Sequence, residues 1–234
     1  MTASRRRELP PLETMRGRWA LAAAIETAIL GERADNTRAD DLGWFFSDGG
    51  GSWARLTQLP GGKAVLAGID RDHSETHQRG IDPRNGIPDW AVDAVETAVR
   101  HESGRDSTDG TELPWLGFVY WFDPSADGPD DWRTVAHEDP AGLQVADGLE
   151  QHLLPVLSEQ RMLETADDWF QGAAMELDDP EAAPDRVDPD SVRRGARLGP
   201  RLTAEAIAAV LPIAGMHLEA GVRAASAFDR EPAA

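Results

Sequence analysis

The sequence predicts an α+β fold: a small antiparallel sheet of four or five strands, packed with N-terminal, middle and C-terminal helices. Three observations lead to it. Residues 12–30 and 88–102 carry apolar side chains at helical spacing. "SWARLTQLPGGKAVLAGID" sets two strand-like stretches on either side of a Pro-Gly-Gly turn, the signature of a hairpin. "LPWLGFVYWF", residues 113–122, is a short aromatic run bounded by turns, as expected of a strand buried on both faces.

In the first helix Met15, Trp19, Ala22, Ile25 and Ile29 recur at steps of three and four, with Glu13, Arg16 and Glu26 off that face. Gly31 is the natural stop, and residues 32–41 read as a polar loop. Strands follow at about 44–47, 52–59 and 63–70. Between the last two, Pro60 presets the second position of a turn and Gly61 supplies the positive φ of the third. Trp53, Arg55 and Thr57 share one face of this hairpin; Ala54 and Leu56 share the other. Polar residues are scarce on both, which places the hairpin inside a larger sheet.

The second helix opens at Pro88 and repeats Trp90, Val95 and Val99, with Ala91, Ala94 and Ala98 beside them. At its end His101 complements the helix dipole and Glu102 opposes it. Further strands are expected at about 115–122 and 132–138. Asp139 and Pro140 read as the cap and first residue of a long helix. Its stripe is Leu143, Ala146, Leu149, Leu153 and Leu157, and Pro155 kinks it; helical signal resumes up to residue 177. Residues 178–202, rich in Pro, Asp and Arg, read as a linker or long loop. That leaves 1–177 as one α+β domain and 203–234 as a terminal helix packing on the same domain. Thr203 caps that helix, Ile207, Val210, Leu211, Ala214, Leu218 and Val222 form its face, and Pro212 bends it.

Charge narrows the function. The 42 acidic against 23 basic residues give a formal net charge of −19. Such a chain repels nucleic acid and anionic membranes at long range and attracts basic surfaces. Lys63 is the sole lysine among the basic residues, a bias that reads as the imprint of GC-rich coding. There is no cysteine, which excludes disulfide scaffolds, zinc–thiolate centres and thiol catalysis. "SRRREL" followed by "WALAAAIETAIL" has the outline of a twin-arginine export signal. The intervening Pro10, Pro11 and Glu13, and the interrupting Glu26, argue against it. The longest apolar candidate, "AIAAVLPIAGMHL", is too short to span a bilayer. A cytoplasmic location is the expectation.

Chemistry-bearing side chains are densest in "DRDHSETH", with Asp70, Asp72, His73, Glu75 and His77. If the strand runs on through it, His73, Glu75 and His77 share one face, the ligand count of a catalytic zinc with an open position. This gives the alternative reading, a metal-dependent hydrolase with a carboxylate as general base on a bound water. A divalent metal is expected under that reading alone; otherwise no cofactor is. The plainer reading is a hydrated turn. A calcium loop counted from Asp70 fails at its sixth and twelfth positions, which are Glu75 and Ile81. No Gly-x-Ser-x-Gly elbow, phosphate loop or Gly-x-Gly-x-x-Gly occurs.

Two patterns remain. Arg193, Arg194, Arg197 and Arg201, with Arg186 upstream, make a basic island that nearby carboxylates can neutralise. Trp44, Trp53, Trp115, Trp121 and Trp132 map to predicted strands, more indole than a small core needs. Trp44, Trp53, Trp121 and Trp132 are therefore candidate partner-binding residues on an aromatic face ringed by acids. The leading expectation is a non-enzymatic module that binds another protein with a basic surface, in a regulatory or toxin-neutralising (immunity-type) role.

Overall fold

A computed structural model describes residues 4–103, 115–125, 131–176 and 184–229. The chain divides into two compact units. The described residues of 4–9 and 41–152 form the first, and those of 10–40 and 153–229 the second. This division differs from a 1–177 domain, a 178–202 linker and a 203–234 helix: the chain enters the second unit twice.

Among the described residues there are seven strands: β1 Ser4–Arg7, β2 Thr37–Asp40, β3 Gly43–Ser47, β4 Trp53–Leu59, β5 Lys63–Ile69, β6 Phe118–Phe122 and β7 Trp132–Val135. In the first unit the antiparallel order is β1-β7-β6-β5-β4-β3. All but β2 belong to the first unit. The α+β class holds, and the expected four or five strands become seven because two short polar ones carry no apolar alternation. β1 is "SRRR", a charged edge strand that pairs Ser4 with Val135 and Arg7 with Trp132. Its arginines discourage pairing with another sheet edge. β2 lies where a polar loop was expected.

The hairpin forms as read. Leu59 faces Lys63 across Pro60–Gly62, and Gly61 has φ 77° and ψ 18°. β6 starts at Phe118, not at 115. Gly117 is pressed against the turn before it, where a Cβ would lie 2.1 Å from Ser74 Oγ. Register places Phe45, Trp53, Val65, Ala67, Val119 and Trp121 on one face, under the helix α3, Asp89–Ser103. Ala91, Val95, Ala98 and Val99 of α3 complete that core. Trp44, Leu56, Leu66, Tyr120 and Trp132 lie on the opposite face and are also buried.

Gly68 is required by this packing. An added Cβ would sit 2.2 Å from the Trp53 carbonyl oxygen and 2.6 Å from the Phe118 ring. Gly68→Ala is expected to cost at least about 1–3 kcal/mol, since backbone cannot yield as a flexible side chain can; the midpoint of a denaturant titration checks it.

The long helix expected from Asp139 does not form. Asp139 accepts the N–H groups of Ala141 and Leu143 at 2.9 Å, and its own N–H donates to Leu143 O. Glu138 then bridges to Gln144, so β7 ends at Val135 and a tight turn follows. Gly142 and Gly148 take φ of 77° and 91°, values foreign to a helix. Leu143 and Leu153 of the supposed stripe are exposed.

Among the described residues of the second unit the regular elements are helices apart from β2. α1, Leu12–Leu30, ends at Gly31 as expected. It is buried nearly all round rather than on one face, because α4 Glu159–Ala174, α5 Pro189–Leu198 and α7 Leu218–Ser226 all pack against it. Small residues set these crossings. A Cβ on Gly17 would lie 2.1 Å from Ala196 O in α5, and one on Gly221 of α7 2.7 Å from Ala24 O. α5 falls inside the expected linker. Asp188 caps it, accepting from Ser191 N at 3.0 Å, and Pro189 takes the first helical position. Residues 178–183 of that linker lie outside the described residues. Pro212 does more than bend the last helix: α6 Ala204–Val210 stops before it, and Gly215 (φ 84°) precedes α7. Among the described residues no helix is long and apolar enough to cross a membrane.

Candidate functional site

The "DRDHSETH" stretch folds as a turn. β5 ends at Ile69, and residues 75–78 form a single helical turn, α2 Glu75–Gln78, so the period-two face of His73, Glu75 and His77 never forms. Asp70 organises the turn. It is 5% exposed, and its Oδ1 accepts from Asp72 N and His73 N at 3.0 and 2.9 Å and lies 3.0 Å from His73 Nδ1. Ser74 locks the turn in place: its hydroxyl donates to Asp147 O and accepts from Asp70 N. The other side chains diverge. Asp72 pairs with Arg71, Glu75 with Arg79, and His77 packs edge-on to Trp115 at 4.8 Å. Among the described residues no three His, Asp or Glu side chains are grouped to hold a metal ion.

The tryptophans are buried. Trp44, Trp53, Trp121 and Trp132 are 4, 4, 7 and 1% exposed. Trp53 and Trp121 lie on the face under α3, Trp44 and Trp132 on the other, so the four share no surface. Trp115 is partly exposed, outside the strands, and donates to Gly51 O at 3.2 Å.

Two polar sites were not legible as sites in the sequence. In the first unit Tyr120 donates to Asp147 Oδ2 and Arg7 pairs with Glu150, lining a cavity of about 220 Å³ with His137. Burial, and then the charge of Asp147, push the Tyr120 phenol upward, while burial lowers His137. Tyr120 is therefore a fixed donor at neutral pH, not a base. These residues come from β1, β6 and the turns after β7, too far apart in sequence to read as a group.

In the second unit a cleft of about 270 Å³ opens between α1 and α4. Ile29, Leu30, Trp169 and Ala173 form its apolar wall, and Glu26, Asp168 and Glu176 outnumber Arg33 among its charges. Glu26 is 3% exposed. Its Oε1 accepts from Asn36 N at 2.9 Å and Asp35 N at 3.3 Å, which pins the chain after Gly31. Its Oε2 is buried with no hydrogen-bond donor among the described residues. Buried carboxylate oxygens are costly when unmatched, which sets Glu26 apart from the other residues lining the cleft. The sequence signal was Glu26 itself, an acid inside an otherwise apolar run.

In comparisons with protein-family models, curated proteins and solved structures, nothing matches this chain.

Proposed function

We propose that the chain is a protein-binding module for a partner with a basic surface, anchored by an arginine or lysine side chain in the cleft between α1 and α4. The observation that carries this reading is a cleft walled by Trp169 and lined by three acids, Glu26, Asp168 and Glu176, the first of which has a buried Oε2 without a donor. A cationic side chain supplies what such a site lacks: N–H donors for the carboxylate, an aliphatic stem for the apolar wall, and a charge for the indole face. The net charge of −19 adds long-range attraction for a basic partner. The tryptophans of the sheet have no part in this surface. A regulatory or toxin-neutralising role suits a module that captures a basic partner at high on-rate.

Gly172 gives the test. It lines the cleft on α4, and an added Cβ meets nothing within 4 Å. Gly172→Arg should place a competing cation in the cleft and weaken binding of an arginine-rich peptide by roughly tenfold or more, the worth of one charged hydrogen bond. Gly172→Ala should bind as the parent does. Fluorescence titration at low and high salt reads both variants. Equal binding by the arginine variant would remove the cleft from the function.

A further inference from the structure

A second concavity in the helical unit has the opposite charge. It encloses about 570 Å³ between the first half of α1, the start of α4 and the end of α5. Five arginines line it, Arg16, Arg18, Arg193, Arg197 and Arg201, against three acids, Glu13, Glu159 and Asp229. The local balance is +2 in a chain of −19.

Its geometry is fixed at the backbone. Gly17 lies against Ala196 O, and a Cβ on Gly199, which has φ 53°, would be 3.0 Å from Gly17 Cα. Thus α1 and the end of α5 meet with no side chain between them, and the arginines on both stand around one hollow. Part of the charge is spent internally. Arg193 pairs with Glu159 and Asp190 at 2.8 Å, and Arg16 with Glu13 at 2.6 Å and Asp229 at 4.0 Å. Arg18 donates to Val156 O at 2.8 Å. Among the described residues Arg197 and Arg201 have no ion pair, and the buried Nε of Arg16 has no acceptor. The basic island is therefore neutralised at Arg193 and not at Arg197 or Arg201.

We propose that this cleft binds the phosphoryl group of a small phosphorylated molecule, an activity separate from capture of a basic partner. Guanidinium groups match phosphate oxygens in pairs, and a phosphomonoester of charge near −2 balances the local surplus. The hollow falls within the range of small-ligand sites and is larger than bare phosphate needs. Met162, Val192 and Leu198 offer an apolar wall to the organic part. A nucleic-acid strand is disfavoured, since it would carry its charge past the cleft into the field of an acidic chain.

Calorimetric titration of the full chain at low ionic strength with phenyl phosphate should give saturable binding that inorganic phosphate competes away. Arg197→Gln with Arg201→Gln should weaken it by about tenfold or more. Arg201→Gln alone should give an intermediate loss. Arg194→Gln, exposed on α5 but outside the cleft, should leave it unchanged. All three arginines are exposed, and circular dichroism should show the variants folded. The proposal is overturned if phenyl phosphate does not bind, if the double variant binds it as the parent does, or if a single-stranded oligonucleotide binds more tightly through the same arginines.

Discussion

Arg55→Ala is expected to destabilise the protein by about 3–5 kcal/mol, the cost of removing one member of a buried ion pair. Arg55 sits in the middle of β4, opposite Phe45 and Ala67, and is 0% exposed. Its Nε and Nη2 both donate to Glu102 Oε1, the Nε at 2.9 Å, and its guanidinium lies 5.2 Å from the Phe45 ring centre. Glu102 stands at the end of α3, where the helix dipole disfavours an anion. Arg55 offsets that dipole and satisfies a carboxylate whose side chain is 7% exposed. Denaturant titration checks the loss. The joint change Arg55→Met and Glu102→Leu should recover most of it, because an apolar pair of similar size removes both buried charges of this pair together. A double variant as unstable as the single would mean that the damage is to shape, not to charge.

Acidification should act through His152. This residue is fully buried against the rings of Phe46 and Phe118, at 6.0 and 5.6 Å. Burial lowers its pKa from 6.5 to about 4, against an opposing pull from Asp70. The unfolded chain therefore binds a proton that the folded chain refuses between those values. The contribution of the neutral imidazole is complete above about pH 6.5 and is lost as the pH falls toward 4, by an amount of about 3 kcal/mol. His152→Gln should be less stable at pH 7 but should show a shallower decline between pH 6.5 and 4.5. Parallel slopes for parent and variant would remove His152 as the cause.

Much of the fold was legible because local chemistry and packing agreed. Gly31 ends α1, Pro-Gly-Gly turns the hairpin, and β6 is buried on both faces, as their residue types require. The failures share a cause. Asp-Pro occurs at 139–140 and at 188–189 with the same local meaning, yet only the second opens a helix. After Asp139 the chain reaches Gly142 in a positive-φ turn, whereas after Asp188 Ser191 joins the cap and Val192 finds a core. Tertiary packing decided between identical signals. The candidate sites were less legible still. Asp70 to His77 looked like ligands because they are close in sequence, but a turn spreads such residues. Arg197 and Arg201 were visible as charge, while their hollow depends on Gly17, far away in the chain.

The route of the chain has a consequence for its biosynthesis. α1 is apolar on nearly every side, and its covers α4, α5 and α7 are encoded after the whole of the first unit. During translation α1 therefore emerges before these helices and waits, still uncovered, until they leave the ribosome. β1 waits likewise for β7, since Ser4 pairs with Val135. Neither unit can finish folding before its later elements emerge, so ribosome-bound intermediates expose an apolar helix that chaperones would recognise.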